Sequence, residues 1–370
     1  TQKDMIFMRE KTATVTVSLP SANGWVKLNA GQEVPMRVKL TSEMIDRLGE
    51  GIRSRVLPAA DRAALLTDSY ALVKAGKMKP EPLIRLLSNY VEEDSYIVWC
   101  GIADILGGFD TVMSDDAAMN DNFKRFARKI VLGLYHKVGW EAKPTDGHLG
   151  VLLRGMMIGL LSAFCHDDED VAAEASRRFA LFQANHADME GLPSDMRSSV
   201  FKIVLKNGGQ KEYDEVKAYF GQATDNAERK HVLGSIGHYP DTKAKLKTLE
   251  WAISGEVKLQ DFFYPMGSVR SSSAEGREIA WSFLKERFGD VRAMIGNASP
   301  SLMDAAIVSC AGGFCSDERA DEIEAFFEAN PVPRSSRKIE QTVENMRANA
   351  KFLALLRLSD LAKDEFWSSL

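Results

Sequence analysis

The spacing of apolar residues in this chain changes once, near residue 41. In the run TVTVSL (residues 14–19) apolar and polar residues alternate, and the run MRVKL (residues 36–40) repeats the alternation. A period of two is typical of a strand with one buried face. From Thr41 onward the apolar residues recur every three or four positions, which is typical of amphipathic helices. The sequence therefore predicts a mainly α protein in which a few antiparallel β-strands precede the helices.

The predicted strands occupy too little of the chain to form a domain by themselves. Pro20 and Asn23-Gly24 supply turn residues between them, so two or three antiparallel strands are expected. Such a small sheet buries little apolar surface unless it packs against something else. We therefore interpret residues 1–41 as part of a sheet and residues 42–370 as a helical domain.

The helical part is expected to form an array of helical hairpins. Thr41 or Ser42 can cap the first helix, and a second helix is expected to follow Pro58 and to end at Gly76. Later apolar rows, such as the one in residues 152–161, predict further helices separated by short segments that contain Gly and Pro. Helices of this length without a strict sequence period indicate an irregular HEAT-like or armadillo-like α-solenoid.

Composition narrows the range of partners. The 370 residues are 45% hydrophobic, and their formal net charge is -5 with a pI near 5.8. Nearly balanced charges create no basic field that would attract nucleic acid or an anionic membrane. No uninterrupted apolar run reaches the roughly 18 residues of a membrane span, and the first residues lack the order of a signal peptide. We therefore predict a cytoplasmic protein with neither a nucleic-acid nor a membrane partner.

The sequence contains no recognisable catalytic or metal centre. A zinc peptidase needs two histidines one helical turn apart with a glutamate between them, and none of the six histidines has that spacing. The four cysteines are scattered and indicate reduced thiols, while the acidic run HDDED (residues 166–170) lacks the spacing of a calcium loop. A nucleophile elbow, a Walker loop and a dinucleotide-binding glycine motif are also absent. We predict no catalytic residue and no metal site in this chain.

Two polar residues are candidates for ligand binding. His238 in GHYP and Arg270 in VRS stand at predicted helix ends, where helical arrays often present binding groups. An ordinary surface or capping role is the alternative for each residue taken alone.

Short strings spread over residues 12–358 carry a resemblance to a known family. They include WVKLN (25–29) followed by Arg37, DR (61–62) with Asp68, GW (139–140), GHL (147–149), LLRG (152–155), AWSFL (280–284) and PVP (331–333). Together they resemble the C-terminal third of the M1 zinc aminopeptidases, and within that family the puromycin-sensitive type most of all.

The resemblance implies a fold and a division of labour. In the family a small β-sandwich precedes a long domain of irregular HEAT-like repeats, which closes over the catalytic domain and encloses the substrate chamber. The resemblance therefore implies that residues 1–41 are part of a truncated β-sandwich and that residues 42–370 are the helical C-terminal domain. The zinc-binding H-E-x-x-H helix and the G-A-M-E-N strand have no counterpart in these residues. The resemblance therefore implies that this chain alone is inactive, that zinc binds in a separate catalytic domain, and that its partners are that domain and peptides. A start inside a half-sandwich favours an excised fragment over a gene product that has lost the enzyme.

Two departures from the family pattern limit what is carried over. Val34-Pro35-Met36 replaces a Gly-Phe-Tyr-like run, and the proline removes a backbone donor from that strand. Antigen-trimming relatives hold a peptide's C-terminal carboxylate with a Tyr-Lys pair and an arginine, and these align with Phe109, Asp110 and His238. An aspartate repels a carboxylate, so we do not carry that activity over. Phe109, His238 and Arg270 remain the candidates for residues that face the substrate chamber.

Two hypotheses about function follow. In the first, the chain is the non-catalytic C-terminal domain of a puromycin-sensitive-type zinc aminopeptidase, enclosing the peptide chamber and gating closure on the catalytic domain. In the second, it is a stand-alone helical scaffold that binds a protein or peptide partner without peptidase activity, with FFYPM (residues 262–266) as a possible contact surface.

Overall fold

The described part of the chain is helical throughout. The computed structural model describes residues 4–19, 21, 24–187 and 190–370, which form 18 α-helices and no β-strand. The helices are α1 Ser42–Arg53, α2 Ala59–Lys74, α3 Pro80–Leu87, α4 Tyr96–Met113, α5 Ala117–Val138, α6 Gly147–Phe164, α7 Glu169–Ala184, α8 Ser194–Asn207, α9 Gln210–Gln222, α10 Asn226–Leu233, α11 Thr242–Ile253, α12 Phe263–Ser272, α13 Ala274–Glu286, α14 Phe288–Ile295, α15 Pro300–Ala311, α16 Asp317–Ala329, α17 Ser336–Arg357 and α18 Asp364–Ser368.

The chain divides into two compact units. Unit 1 comprises residues 1–105 and 359–370, and unit 2 comprises residues 106–358. The first division falls within α4 and the second directly after α17. The start of α1 at Ser42 agrees with the predicted onset of helix, whereas the assignment of residues 1–41 to a separate sandwich domain stays a prediction.

The β-strands predicted in residues 14–19 and 36–40 are absent from the described residues, and this prediction was wrong. Val15 and Val17 are 50% and 53% exposed, so these apolar residues are not buried as one face of a packed strand would be. A strand is stable only where a neighbouring strand completes its backbone hydrogen bonds, and the described part of the chain contains no such neighbour. The predicted turn residues Pro20 and Asn23 lie outside the described residues.

Two carboxylates on α2 hold residues 24–40 instead of a sheet. Asp61 accepts a hydrogen bond from the Gly31 backbone N–H at 2.9 Å. Asp68 accepts one from the Val38 N–H at 3.1 Å and another from Arg37 Nη1 at 2.9 Å. Both carboxylates are buried, so charged acceptors replace the strand-to-strand bonds as partners for this backbone.

The helix ends of unit 1 agree with the sequence. The Thr41 side chain accepts a hydrogen bond from the Met44 N–H, which confirms the predicted cap of α1. The second helix follows Pro58 and ends at Lys74, after which Gly76 adopts a positive φ of 63°.

Unit 2 is built from two layers of helices. In the first layer α6 contacts α8, α8 contacts the 3₁₀ turn Ile236–His238, that turn contacts α12, α12 contacts α15, and α15 contacts α17. We call these elements the inner row. The helices between them in sequence pack against the row as a second layer, with α5 on α6, α7 on α8, α11 on α12 and α16 on α17. This arrangement is consistent with the predicted α-solenoid of helical hairpins.

Aromatic packing joins the first residues of unit 2 to its last helix. Phe109 near the end of α4 stacks on Phe123 of α5 with 5.6 Å between ring centroids. The same ring meets the edge of Phe352 of α17 at 5.4 Å. These contacts bring together helices that are more than 200 residues apart in sequence, and ring pairs of this geometry are stabilising.

Charged contacts reinforce this closure. Arg277 of α13 is only 6% exposed; its Nη1 donates to Ser114 Oγ at 2.8 Å and its Nη2 to Asp115. Arg357 at the end of α17 donates to Asp116 Oδ2 at 3.0 Å. Residues 114–116 therefore bind both α13 and α17, which closes the array of unit 2 on itself.

Two helices have the length and composition of membrane spans. They are α4 and α6, each of 18 residues, of which 50% and 44% respectively are buried inside the protein. The core helix of a soluble protein passes the same test, and no membrane contact follows from composition alone.

The Arg277 closure is expected to contribute measurably to stability. Arg277→Ala removes the charged donor to Ser114 and Asp115, so the free energy of unfolding should fall by about 2 kcal/mol. Urea titration followed by circular dichroism measures this change. The control is Arg287→Ala at the end of the same helix, where an exposed guanidinium pairs with Glu250 and Asp290. Equal stability of the two variants would contradict the proposed closure.

The Asp68 carboxylate is expected to hold residues 24–40 in place. Asp68→Ala removes the acceptor of two hydrogen bonds, so trypsin should cleave after Lys39 roughly tenfold faster than in the wild type. Cleavage is followed by mass spectrometry at a fixed protease concentration. The matched control is Asp46→Ala, because Asp46 is an exposed aspartate of the same unit. An unchanged cleavage rate in Asp68→Ala would show that other contacts fix this segment.

Candidate functional site

Two lysines on α8 lack the acidic partners that buried lysines usually have. Lys202 and Lys206 stand one helical turn apart on the same face, and both side chains are half-buried. Lys206 Nζ donates to the Ser162 carbonyl of α6 at 2.7 Å. Among the described residues, neither ammonium group has a carboxylate within ion-pair distance. We call these two residues the α8 lysine pair.

A third lysine and one aspartate lie beside the pair. Lys124 Nζ of α5 is 4.0 Å from Asp110 Oδ1 of α4. Although the Asp110 side chain is 36% exposed, its Oδ1 is buried and accepts no hydrogen bond within the described part of the chain. Burial raises the pKa of Asp110, and the positive charges of Lys124 and Lys206 oppose that rise. Asp110 therefore compensates the lysines poorly.

The lysines destabilise one another's charged forms. The pKa of Lys206 is lowered to about 8, mainly by burial; the charges of Lys124 and Lys202 also lower it, and those of Asp110 and Asp167 oppose them. Burial also lowers the pKa of Lys202. Burial and neighbouring positive charge both disfavour an ammonium ion. The attraction of a bound anion would offset both effects.

The two histidines near the pair contribute no positive charge at neutral pH. His238 is buried; its Nδ1 lies 3.2 Å from the Ser235 carbonyl and 3.3 Å from Ser268 Oγ. Burial, followed by the charges of the α8 lysine pair, holds the pKa of His238 well below its usual range. The pKa of His166 is likewise lowered, mainly by burial and by the charge of Lys206. Both rings are therefore neutral hydrogen-bonding groups.

Arg270 lies further along the inner row, on α12. One of its terminal nitrogens packs against the Gly312-Gly313 turn, 2.9 Å from the point where a Cβ on Gly313 would be. Gly313 has a φ of 86°, so both the space and the backbone conformation require glycine. Arg270 Nε is buried without a hydrogen-bond acceptor among the described residues, and burial lowers the pKa of the guanidinium. Arg270 Nε–H is thus a donor that could bind a further acceptor.

An apolar face of α6 leads to the α8 lysine pair. Leu149 and Leu152 are 53% and 37% exposed, and half-buried Met156 continues the same face. A Cβ on Gly159 would have only Ser199 Oγ of α8 near it, at 3.9 Å. One turn beyond, Ser162 accepts the hydrogen bond from Lys206. We call Leu149, Leu152, Met156 and Gly159 the α6 stripe.

The structure places the three predicted site residues in different surroundings. Phe109 has 0% exposure and packs in the aromatic contacts described above, so its side chain belongs to the core of unit 2. His238 is buried next to the α8 lysine pair, and Arg270 is half-buried beside the Gly312-Gly313 turn. Their role in facing a substrate stays a prediction.

Sequence reasoning missed the lysines. The four-residue spacing in FKIVLK (residues 201–206) places Lys202 and Lys206 on one helix face, but the same spacing is typical of a solvated surface. The distinguishing fact is that both side chains are half-buried and that Lys206 is bonded to α6, which the sequence does not state.

No group of three or more His, Cys, Asp or Glu side chains within the described residues is placed to hold a metal ion. The expectation that zinc binds in a separate catalytic domain is untouched by this finding and stays a prediction.

The lowered pKa of Lys206 predicts a pH dependence of stability. Because the folded pKa is about 8 and the unfolded value is 10.5, the unfolded chain binds more protons between these pH values, and stability should rise from pH 8 to 10.5. Lys206→Met should lose this rise when urea unfolding is compared at pH 7, 8, 9 and 10. Lys211→Met, at an exposed lysine of α9, is the control and should keep the wild-type profile. A parallel profile for Lys206→Met and the wild type would refute this assignment.

Comparison with known proteins places these features in a family. The profile of the ERAP1-like C-terminal domain matches residues 25–348, which is most of the chain. Aminopeptidase M1-B of Oryza sativa subsp. japonica is 29% identical over 339 residues, covering 90% of this chain and 38% of that protein. Aminopeptidase M1 of Arabidopsis thaliana is 29% identical over 345 residues, covering 91% and 38%.

A more distant relative gives the same coverage. Aminopeptidase 2, mitochondrial, of Saccharomyces cerevisiae is 24% identical over 351 residues, covering 94% of this chain and 36% of that protein. The chain therefore spans less than two fifths of the length of these relatives. The matches confirm the resemblance to the C-terminal region of M1 aminopeptidases, and the chain belongs to the ERAP1-like C-terminal domain family.

Proposed function

We propose that this chain is the non-catalytic C-terminal domain of a cytoplasmic, puromycin-sensitive-type zinc aminopeptidase, and that it encloses the peptide chamber and gates closure on the catalytic domain. Zinc and the reacting groups belong, in this proposal, to the catalytic domain of the same polypeptide. The names of the matched relatives and the chain's share of their length support this reading. The chain's own contribution is then to bind and orient peptide, not to cleave it.

The inner row is the surface that best fits contact with an extended peptide. The α6 stripe offers exposed apolar side chains, and Gly159 lets a peptide backbone approach the helix closely. The α8 lysine pair adds positive charge at the end of the stripe, and Arg270 adds donors one helix beyond. An enclosed surface that holds peptide in one orientation assists a reaction at its other end, because it reduces the entropy lost at that step. The uninterrupted run from the α6 stripe to the α8 lysine pair is the observation that carries the proposal.

Among the three predicted chamber residues, Arg270 fits this role best. Its Nε is buried and without an acceptor in the described residues, so a peptide carbonyl or carboxylate could complete its hydrogen bonds. His238 would act on peptide only through its neighbours, since its side chain is 8% exposed. Phe109, at 0% exposure, would hold the fold of the chamber wall and make no contact with peptide.

The alternative function, a stand-alone scaffold for a partner, draws less support from its suggested contact surface. Phe262 and Met266 both have 0% exposure and belong to the core of unit 2, together with Trp281 and Phe288. Residues 262–266 therefore stabilise the packing of α12, and little of their apolar surface is left for a partner.

Photo-crosslinking tests where peptide contacts this chain. A 12-residue peptide that carries a benzophenone side chain should label the 370-residue protein on α6, α8 and α12, as mapped by mass spectrometry. Leu152→Glu on the α6 stripe should weaken labelling, because it places a charge where apolar contact is expected. The matched control is Leu181→Glu, at an exposed leucine of α7 in the second layer. Labelling confined to the second layer, or no labelling, would contradict the chamber role.

A further inference from the structure

We propose that the α8 lysine pair, together with Lys124, binds acidic side chains of a peptide ligand, and that it fits two acidic residues separated by one other residue. The inference deepens the proposed function and rests on it in one respect: the ligand that reaches the α6 stripe is taken to be a peptide. The charge chemistry of the site is independent of that assumption.

The first argument is an excess of positive charge. The groups whose charges act on Lys206 are Lys124 and Lys202, which are cationic, and Asp110 and Asp167, which are acidic. Asp167 is already paired with Arg128, whose Nη1 donates to it at 2.5 Å. Of these two acids, Asp110 is the one not paired with an arginine, and it lies 4.0 Å from Lys124. A chain with a formal net charge of -5 thus concentrates uncompensated positive charge at one place on the inner row.

The second argument is that the site is partly dehydrated before any ligand binds. Both lysines of the pair are half-buried, and burial is the largest cause of their lowered pKa values. Attraction between opposite charges is stronger where water is partly excluded. A carboxylate bound here would therefore gain from groups that are already held in position, with Lys206 fixed by its hydrogen bond to Ser162.

The third argument concerns spacing. Two residues one turn apart on a helix are separated by about 6 Å along its axis. Alternate residues of an extended peptide lie on the same side and are about 6.6 to 6.8 Å apart. A peptide with acidic residues at positions i and i+2 can therefore direct one carboxylate to each lysine, while its other residues follow the α6 stripe.

The experiment compares matched peptides on the intact 370-residue protein. Fluorescence anisotropy measures binding of a labelled, N-acetylated and C-terminally amidated 12-residue peptide that carries Glu at two alternate positions beside Leu and Ala. The same peptide with Gln at both positions should bind at least about tenfold more weakly at pH 7 and low salt, because it lacks the charge-assisted bonds. Affinity for the Glu peptide should fall as the pH rises through about 8, where Lys206 loses its proton.

Variants locate the effect. Lys202→Gln/Lys206→Gln should bind the Glu peptide as weakly as the wild type binds the Gln peptide. Lys202→Gln alone should lose part of the preference, and it spares the hydrogen bond between Lys206 and Ser162 if the double variant folds poorly. The control Lys211→Gln changes an exposed lysine of α9 and should keep the full preference.

Four other outcomes would contradict either this inference or the proposed function. Equal affinity for the Glu and Gln peptides would overturn this inference and leave the proposed function standing. A preference that appears only when the C-terminal amide is replaced by a free carboxylate would also overturn it, since the site would then bind the chain end. Displacement of the Glu peptide by inorganic phosphate at equal concentration would indicate a general anion site, again against the inference. Failure of both peptides to bind would count against the proposed function itself.

Discussion

The fold of unit 2 depends on a charged contact between distant parts of the chain. Arg277 is buried, and it donates to Ser114 and Asp115, which are more than 160 residues earlier in the sequence. In an open array each repeat contacts only its neighbours, so the ends are free to vary. Here the end of α4 is fixed to α13, and Arg357 of α17 adds a second connection. The helices α6 and α8 therefore lie in sequence between two parts of the chain that contact each other directly.

Several residues that carry the family resemblance form ion pairs within the fold. Asp68 and Arg37, which stand in the matching strings, contact each other at 2.9 Å and hold the segment before α1. Arg154 of the LLRG string pairs with Asp146 at 2.7 Å and is 2% exposed. These residues keep the architecture, and the lysines on α8 lie outside every one of the matching strings. A resemblance of this kind therefore identifies the fold more directly than it identifies a binding surface.

The sequence was sufficient for the helical class and for individual helix ends, because periodicity and capping are local properties. It failed for the strands of residues 14–19, since alternation shows which face a strand would bury but not whether a partner strand exists. It also could not place Phe109, whose burial depends on Phe123 and Phe352 from two other helices. The α8 lysine pair was missed for a similar reason: burial is the main cause of its lowered pKa values, and a spacing of four residues carries no information about burial.

Closure also has a consequence for synthesis on the ribosome. An open array can fold repeat by repeat as it emerges from the ribosome. Here Asp116 is synthesised 241 residues before its partner Arg357. At ordinary elongation rates that interval is roughly 10 to 50 s. During it the nascent chain holds the Phe109 ring without Phe352 and the Asp115 carboxylate without Arg277 for much of the time. Until α17 is made, the first helices of unit 2 keep apolar surface exposed that α17 later covers, and a ribosome pause before α17 would prolong that exposure.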